Sequence, residues 1–179
     1  MFLVVGNSGS GKDSIISGVI KKYSSNFKKI HRSKRYITRS ASEFEDNLSI
    51  NGKEFKEMKK QGKFALNWEI YGLQYGVPIE IDEWLENGHD VIVNASRTII
   101  NEARALYENL KVVFIEVPLK ITIERIKSRG REFGKSLEER IQRAKNNQKL
   151  VNADFVVNNS GKLEDAIDEF IAYLLEFQH

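Results

Sequence analysis

The stretch Gly6-Asn7-Ser8-Gly9-Ser10-Gly11-Lys12-Asp13-Ser14 constrains this chain more than any other. It follows the apolar run Phe2-Leu3-Val4-Val5 directly and leads into Ile15-Ile16-Ser17-Gly18-Val19-Ile20, whose apolar spacing is helical. Strand, glycine-rich loop and helix N-terminus is the context in which a P-loop cradles phosphate. The glycines let successive backbone N–H groups curl round an anion, the helix dipole adds positive charge, and Lys12 reaches the β/γ-phosphates. A plain Gly/Ser turn is the alternative, and placement straight after a buried-looking strand favours the phosphate. Gly6 to Ser14 are therefore candidate nucleotide-binding residues. Where Ser or Thr normally meets Mg2+, this chain has Asp13 followed by Ser14, and these two are the candidate metal ligands.

A length of 179 residues suits one α/β domain with small inserted lobes. A hydrophobic fraction of 41% with 30% charged residues describes a globular chain rather than a disordered one. The net charge of +3 suits anionic substrates but is too mild to argue for nucleic acid. With no cysteine, disulfide scaffolds and cysteine-based zinc sites are excluded. His31, His89 and His179 stand isolated, without metal-ligand spacing. Gly6 ends the first apolar run far short of a signal peptide or membrane span, so a cytoplasmic protein is expected.

Taken in order, residues 2–5 read as a central parallel strand and 12 to about 23 as a helix. The basic stretch 31–39 reads as partly extended. It is either a solvated edge strand or a second phosphate site. Residues 42–49 read as a loop, 53–61 as an amphipathic helix with Phe55 and Met58 inward, and 64–69 with 73–77 as a hairpin. Pro78 is expected to open a helix to Asn87 and Ser96 to cap one over 97–109. Strands at 90–94, 111–117 and 154–157 alternate with helices at about 118–128, 136–150 and 163–177. Such alternation predicts a doubly wound parallel sheet with helices on both faces, an α/β class. The hairpin-rich interval of about 34–85 reads as an inserted lobe on a core of 1–33 and 86–179.

Several features fall in the order seen in guanylate-kinase-like P-loop kinases, which this chain resembles over nearly its whole length. They are the P-loop, Thr38-Arg39, Trp68-Glu69 leading to Gly72, Tyr75-Gly76, Asp90-Val91-Ile92-Val93, Arg129-Gly130-Arg131 and Val156-Val157-Asn158-Asn159. It is similar more narrowly to the ribose 1,5-bisphosphate phosphokinases of phosphonate breakdown. That likeness rests on Arg35-Tyr36-Ile37-Thr38-Arg39, Tyr75-Gly76-Val77, Glu80-Ile81-Asp82 with Trp84-Leu85, Val93-Asn94 with Ser96-Arg97, and Arg129-Gly130-Arg131-Glu132. The resemblance implies a single kinase domain that uses ATP and Mg2+ to make 5-phosphoribosyl 1-diphosphate (PRPP). It also implies an acceptor-binding lobe and a lid at about 129–136.

The same resemblance assigns roles residue by residue. Arg39 and Tyr75 match residues that hold the acceptor's phosphate in guanylate kinases, while Ser42 stands where a second such arginine would be. Leu66 replaces the glutamate that reads guanine. Asn94 and Ser96 replace two aspartates, which suits a doubly phosphorylated sugar better than a base; a strand-end residue and an N-cap are their structural alternatives. Arg35 and Arg97 are further acceptor candidates. Arg129, Arg131 and Arg140 match arginines that neutralise charge on the transferred phosphoryl group beside Lys12. Asn158 and Asn159 match a loop near the adenine. Competing readings are a nucleoside monophosphate kinase, a guanylate-kinase-like binding module without catalysis, and, ranked last, an RNA-binding protein. The partners expected are therefore ATP and a small phosphorylated sugar, with neither nucleic acid nor membrane. The oligomeric state is left open.

Overall fold

The computed structural model describes residues 1–24, 26–40, 46–128, 130 and 133–177. The Phe2–Val5 run forms β1, and all four side chains are buried because a central strand is covered on both faces. Helix α1 follows at Lys12–Lys22, then β2 at Ile30–Ser33, β3 at Arg35–Ile37 and β4 at Asn47–Ser49. Helix α2 spans Gly52–Lys60, and β5 (Phe64–Ile70) and β6 (Leu73–Pro78) form the expected hairpin. Next come α3 (Glu80–Glu86), β7 (Asp90–Asn94), a 3-10 turn (Arg97–Ile99), α4 (Ile100–Leu106) and β8 (Lys111–Glu116). The chain continues with α5 (Leu119–Ser128), α6 (Gly134–Asn146), β9 (Phe155–Asn158) and α7 (Leu163–Leu175). The larger sheet has strand order β2-β7-β1-β8-β9 and the smaller β4-β3-β6-β5, an α/β architecture. No helix among the described residues is long and apolar enough to cross a membrane.

By contact density the chain divides into Met1–Leu3 with Ser24–Leu110, and Val4–Tyr23 with Lys111–His179. In the first unit β2 runs parallel to β7, while β3, β6 and β5 make antiparallel pairs and β4 joins β3 in parallel. Asn51 starts α2 with a capping box, accepting from the backbone N–H of Lys53 and Glu54 while Glu54 accepts from Asn51 N–H. Phe55 of α2 packs its ring 4.7 Å from that of Phe64, which also meets Tyr36 at 5.7 Å. A bulge between Phe64 and Leu66 turns Phe64 onto this face of the sheet. Its ring covers Gly76, where a Cβ would lie 2.6 Å from the ring carbons, so the Tyr75-Gly76 pair needs its glycine for close approach. In the second unit β8 and β9 are parallel and α1 packs against α7.

Four expectations are corrected. Pro78 ends β6 rather than opening a helix, and α3 starts two residues later. Pro at the end of a strand forfeits no ladder bond that must be made. Residues 47–49 are a strand, not loop, while 41–45 with Ser42 lie outside the described residues. The helix expected over 97–109 is a 3-10 turn followed by a shorter α4. His31 and His89 are not isolated. They face each other with Nε2 and Nδ1 3.0 Å apart, and His31 stacks on Trp84 at 4.4 Å.

Candidate active site: a P-loop and an acceptor lobe

The P-loop connects β1 to α1 and is held by its own unit from several directions. Gly11 caps α1 with φ +86°, and no side chain caps the helix there. Only glycine fits, because a Cβ would collide with Asn159 Nδ2 as well as strain the backbone. A helix N-terminus that opens on glycine without a capping side chain is the kind that suits an anion. Asn159 is buried and donates from Nδ2 to the Ser10 carbonyl at 2.7 Å. Lys12 Nζ donates to the Gly6 and Asn7 carbonyls at 2.8 and 3.0 Å, which folds the ammonium back over the loop.

Two helices clasp the loop. Arg140 of α6 donates from Nη1 to Ser8 Oγ at 3.1 Å, and Arg125 of α5 donates to the Gly9 carbonyl at 3.4 Å. Asn7 Nδ2 donates to the carbonyls of Ala144 and Asn147 at the C-terminal end of α6, at 3.3 and 3.0 Å. Sequence reasoning missed Arg125, whose position on α5 carries no local signal. Asp13 lies half-buried in the first turn of α1, with Ser14 exposed beside it. Asn158 turns away into a local motif, its Oδ1 accepting from Ser160 N and Oγ, whereas Asn159 reaches the P-loop. The expected lid arginines Arg129 and Arg131 lie outside the described residues.

The acceptor candidates gather in the other unit, on the smaller sheet and on the segment after β7. Tyr75 pairs with Ile37 on one side and Trp68 on the other, so these side chains share one face. The Arg35 guanidinium lies over the Tyr75 ring at 5.8 Å. Thr38 N donates to the Gln74 carbonyl at 3.1 Å and Thr38 Oγ1 accepts from Gln74 N at 2.8 Å, tying the start of the Thr38-Arg39 segment to β6. Leu66 is fully buried opposite Val77, in the same layer as Tyr75. The Arg97–Ile99 turn packs against β5. Asn94 is buried at the C-terminal end of β7. Ser96 Oγ accepts from Thr98 N at 3.2 Å, so the hydroxyl serves as an N-cap.

Two of the quoted motif residues have structural work within this unit. Asp82 accepts a 2.6 Å bond from the Tyr107 hydroxyl. Burial, then the Asp82 carboxylate, holds the Tyr107 pKa well above its ordinary value. Trp84 carries the His31 ring, whose pKa is lowered first by desolvation and then by Lys29 and His89.

An α/β sheet with a glycine-capped P-loop under Lys12, and a separate sheet bearing Arg35 and Tyr75, defines a P-loop nucleotide-binding protein of the phosphotransferase type. The guanylate kinase family matches residues 1–176. Ribose 1,5-bisphosphate phosphokinase PhnN of Pseudomonas paraeruginosa is 36% identical over 97% of this chain and 94% of its own length. The protein of the same name from Pectobacterium parmentieri is also 36% identical, over 97% of this chain and 93% of its own. A guanylate kinase structure from Anaplasma phagocytophilum superposes with a TM-score of 0.72 at 17% identity, covering 99% of this chain and 86% of that one, a likeness of fold. The chain belongs to the guanylate kinase family, in the branch of the ribose 1,5-bisphosphate phosphokinases.

Proposed function

We propose that this chain transfers the γ-phosphoryl group of ATP to the 1-phosphate of ribose 1,5-bisphosphate, giving PRPP and ADP. The observation that carries the choice of acceptor is Leu66. It is fully buried opposite Val77, and the resemblance matches it to the guanine-reading glutamate of guanylate kinases. An aliphatic side chain accepts no hydrogen bond, and a site built on such bonds rejects the ligand whose polar groups it leaves unpaired. The names of the relatives support the same reaction.

An oxygen of the 1-phosphate forms the new bond to the γ-phosphorus, and the bond from that phosphorus to the β–γ bridging oxygen breaks, leaving ADP. A phosphate monoester has a second pKa of about 6, so the acceptor is already largely dianionic near neutral pH and needs no strong general base. Catalysis then rests on position and charge neutralisation. Lys12 leaves the Gly6 and Asn7 carbonyls for the phosphates and Arg140 adds positive charge beside Ser8, while the resemblance gives Arg129 and Arg131 the same charge-neutralising role. Arg39, Tyr75 and Arg35 hold the acceptor's phosphate, with Asn94, Ser96 and Arg97 toward the sugar. The resemblance puts the Asn158-Asn159 loop near the adenine, with the Asn158 side chain held by Ser160 and Asn159 bonded to the P-loop. Asp13 and Ser14 offer hard oxygen donors of the kind Mg2+ takes when phosphates supply most of its coordination.

The test is a phosphoryl-transfer panel with MgATP against ribose 1,5-bisphosphate, GMP, AMP and ribose 5-phosphate, read by phosphorus NMR. The diphosphate resonances of PRPP should appear with the first acceptor. Transfer to GMP without transfer to ribose 1,5-bisphosphate would overturn the proposal.

A further inference from the structure

We infer that Trp68 is a positioning residue for the acceptor, acting through Tyr75; the inference rests on the phosphotransfer reading above. Trp68 on β5 and Tyr75 on β6 stand directly opposite each other in the hairpin register. Their rings are parallel within 2°, with centroids 5.3 Å apart. Trp68 is 9% exposed and Tyr75 half-buried, so the indole is a fixed wall and the phenol the more accessible layer. The Arg35 guanidinium lies 5.8 Å from the centroid of that same Tyr75 ring.

These contacts restrict how Tyr75 can move. A tyrosine has two soft side-chain torsions, and a parallel indole packed against its ring removes the rotamers that would swing the ring toward β5. Its backbone is fixed on the other edge by pairing with Ile37 and by the two Thr38–Gln74 hydrogen bonds. The phenol hydroxyl therefore projects in one direction, and Arg35, drawn to the ring's negative face, is held in step with it. A phosphate dianion meeting a guanidinium and a phenol already oriented costs less ordering than one meeting two free side chains. Trp68 touches no reacting atom in this account. Its effect is transmitted through Tyr75 and Arg35.

Steady-state kinetics test this with both substrates varied. Trp68→Leu should raise KM for ribose 1,5-bisphosphate about tenfold, while KM for MgATP stays within about twofold, because the acceptor must then order the Tyr75 and Arg35 side chains itself. Trp68→Phe restores a stacking ring and should recover most of the loss. An unchanged acceptor KM in Trp68→Leu, or an equal rise in both KM values, would overturn the inference. A second measurement does not depend on that variant folding. Of the two tryptophans, Trp84 sits against His31, so Trp84→Phe leaves Trp68 as the sole indole. Its emission should change saturably with ribose 1,5-bisphosphate in the absence of ATP, and an unresponsive spectrum would count against the role. If the wild-type protein transfers nothing to ribose 1,5-bisphosphate, the phosphotransfer reading fails and takes this inference with it. If it does transfer and the variants are indifferent, only the role of Trp68 fails.

Discussion

The Asn159 side chain lies 2.7 Å from the Ser10 carbonyl, joining the loop after β9 to the P-loop across 149 positions of sequence. Both residues are buried, so the carbonyl has no ready replacement partner in water. Asn159→Leu would leave that acceptor unpaired at a cost of about 1–3 kcal/mol. The expected outcome is a lower urea midpoint together with a higher KM for MgATP. A midpoint equal to the wild type would show that the bond does not hold the loop.

Lys12 is the residue on which transfer should depend most. Its ammonium rests on the Gly6 and Asn7 carbonyls, at the mouth of α1 where phosphate charge would be met. Lys12→Ala should reduce kcat by about a hundredfold or more, the scale seen when one charge-stabilising donor is removed. The half-exposed side chain contributes little to the core, so circular dichroism should be unchanged. Normal dichroism with near wild-type turnover would remove the P-loop kinase account.

Asp13 gives a metal-specific prediction. Its carboxylate sits in the first turn of α1, a position where a helix acid is favourable in any case. If it also serves Mg2+, Asp13→Ala should raise the Mg2+ concentration for half-maximal activity several-fold, an order-of-magnitude expectation for losing one hard oxygen donor. An unchanged Mg2+ dependence would assign the carboxylate to the helix alone.

The His31–His89 pair predicts how stability depends on pH. The folded protein holds His31 below its ordinary pKa, through desolvation first and then Lys29 and His89. As pH falls below about 6.5, the unfolded chain takes up a proton that the folded chain resists, so stability falls. Above that range both states are neutral there and the effect vanishes. His31→Phe keeps a ring against Trp84 but cannot titrate. Between pH 8 and 5.5 its urea midpoint should fall less than that of the wild type, whereas parallel profiles would refute the assignment.

The strands buried on both faces were readable because burial writes itself as an unbroken apolar run: Phe2 to Val5, Val91 to Val93, Val112 to Ile115. The P-loop was readable because its chemistry requires glycine at fixed places, Gly11 above all. Asn47–Ser49 was not, since a short polar strand is held by backbone pairing with β3 and carries no apolar pattern. Neither was the meeting of His31 and His89, which the parallel register of β2 against β7 brings about over 58 positions. Pro78 is ambiguous in sequence because a helix start and a strand end both tolerate a residue without an N–H. In the site, Lys12 is legible from the P-loop motif and Arg140 from the resemblance, and they bond the Gly6 carbonyl and Ser8 Oγ respectively. Arg125 and Asn7's bonds to α6 are tertiary facts that no local pattern announces.

The acceptor is the centre of the account, and steady-state kinetics with ribose 1,5-bisphosphate and GMP at fixed MgATP test it most directly. On the proposed reading Leu66 gives a guanine edge nothing to bond to, while Arg39, Tyr75 and Arg35 would hold a phosphate that both acceptors carry, so the discrimination falls on the base. The predicted result is a kcat/KM at least about a hundredfold higher for ribose 1,5-bisphosphate, or roughly 2.7 kcal/mol of differential transition-state binding, within reach of one or two lost polar contacts. A higher kcat/KM for GMP would contradict the account and make the protein a nucleoside monophosphate kinase.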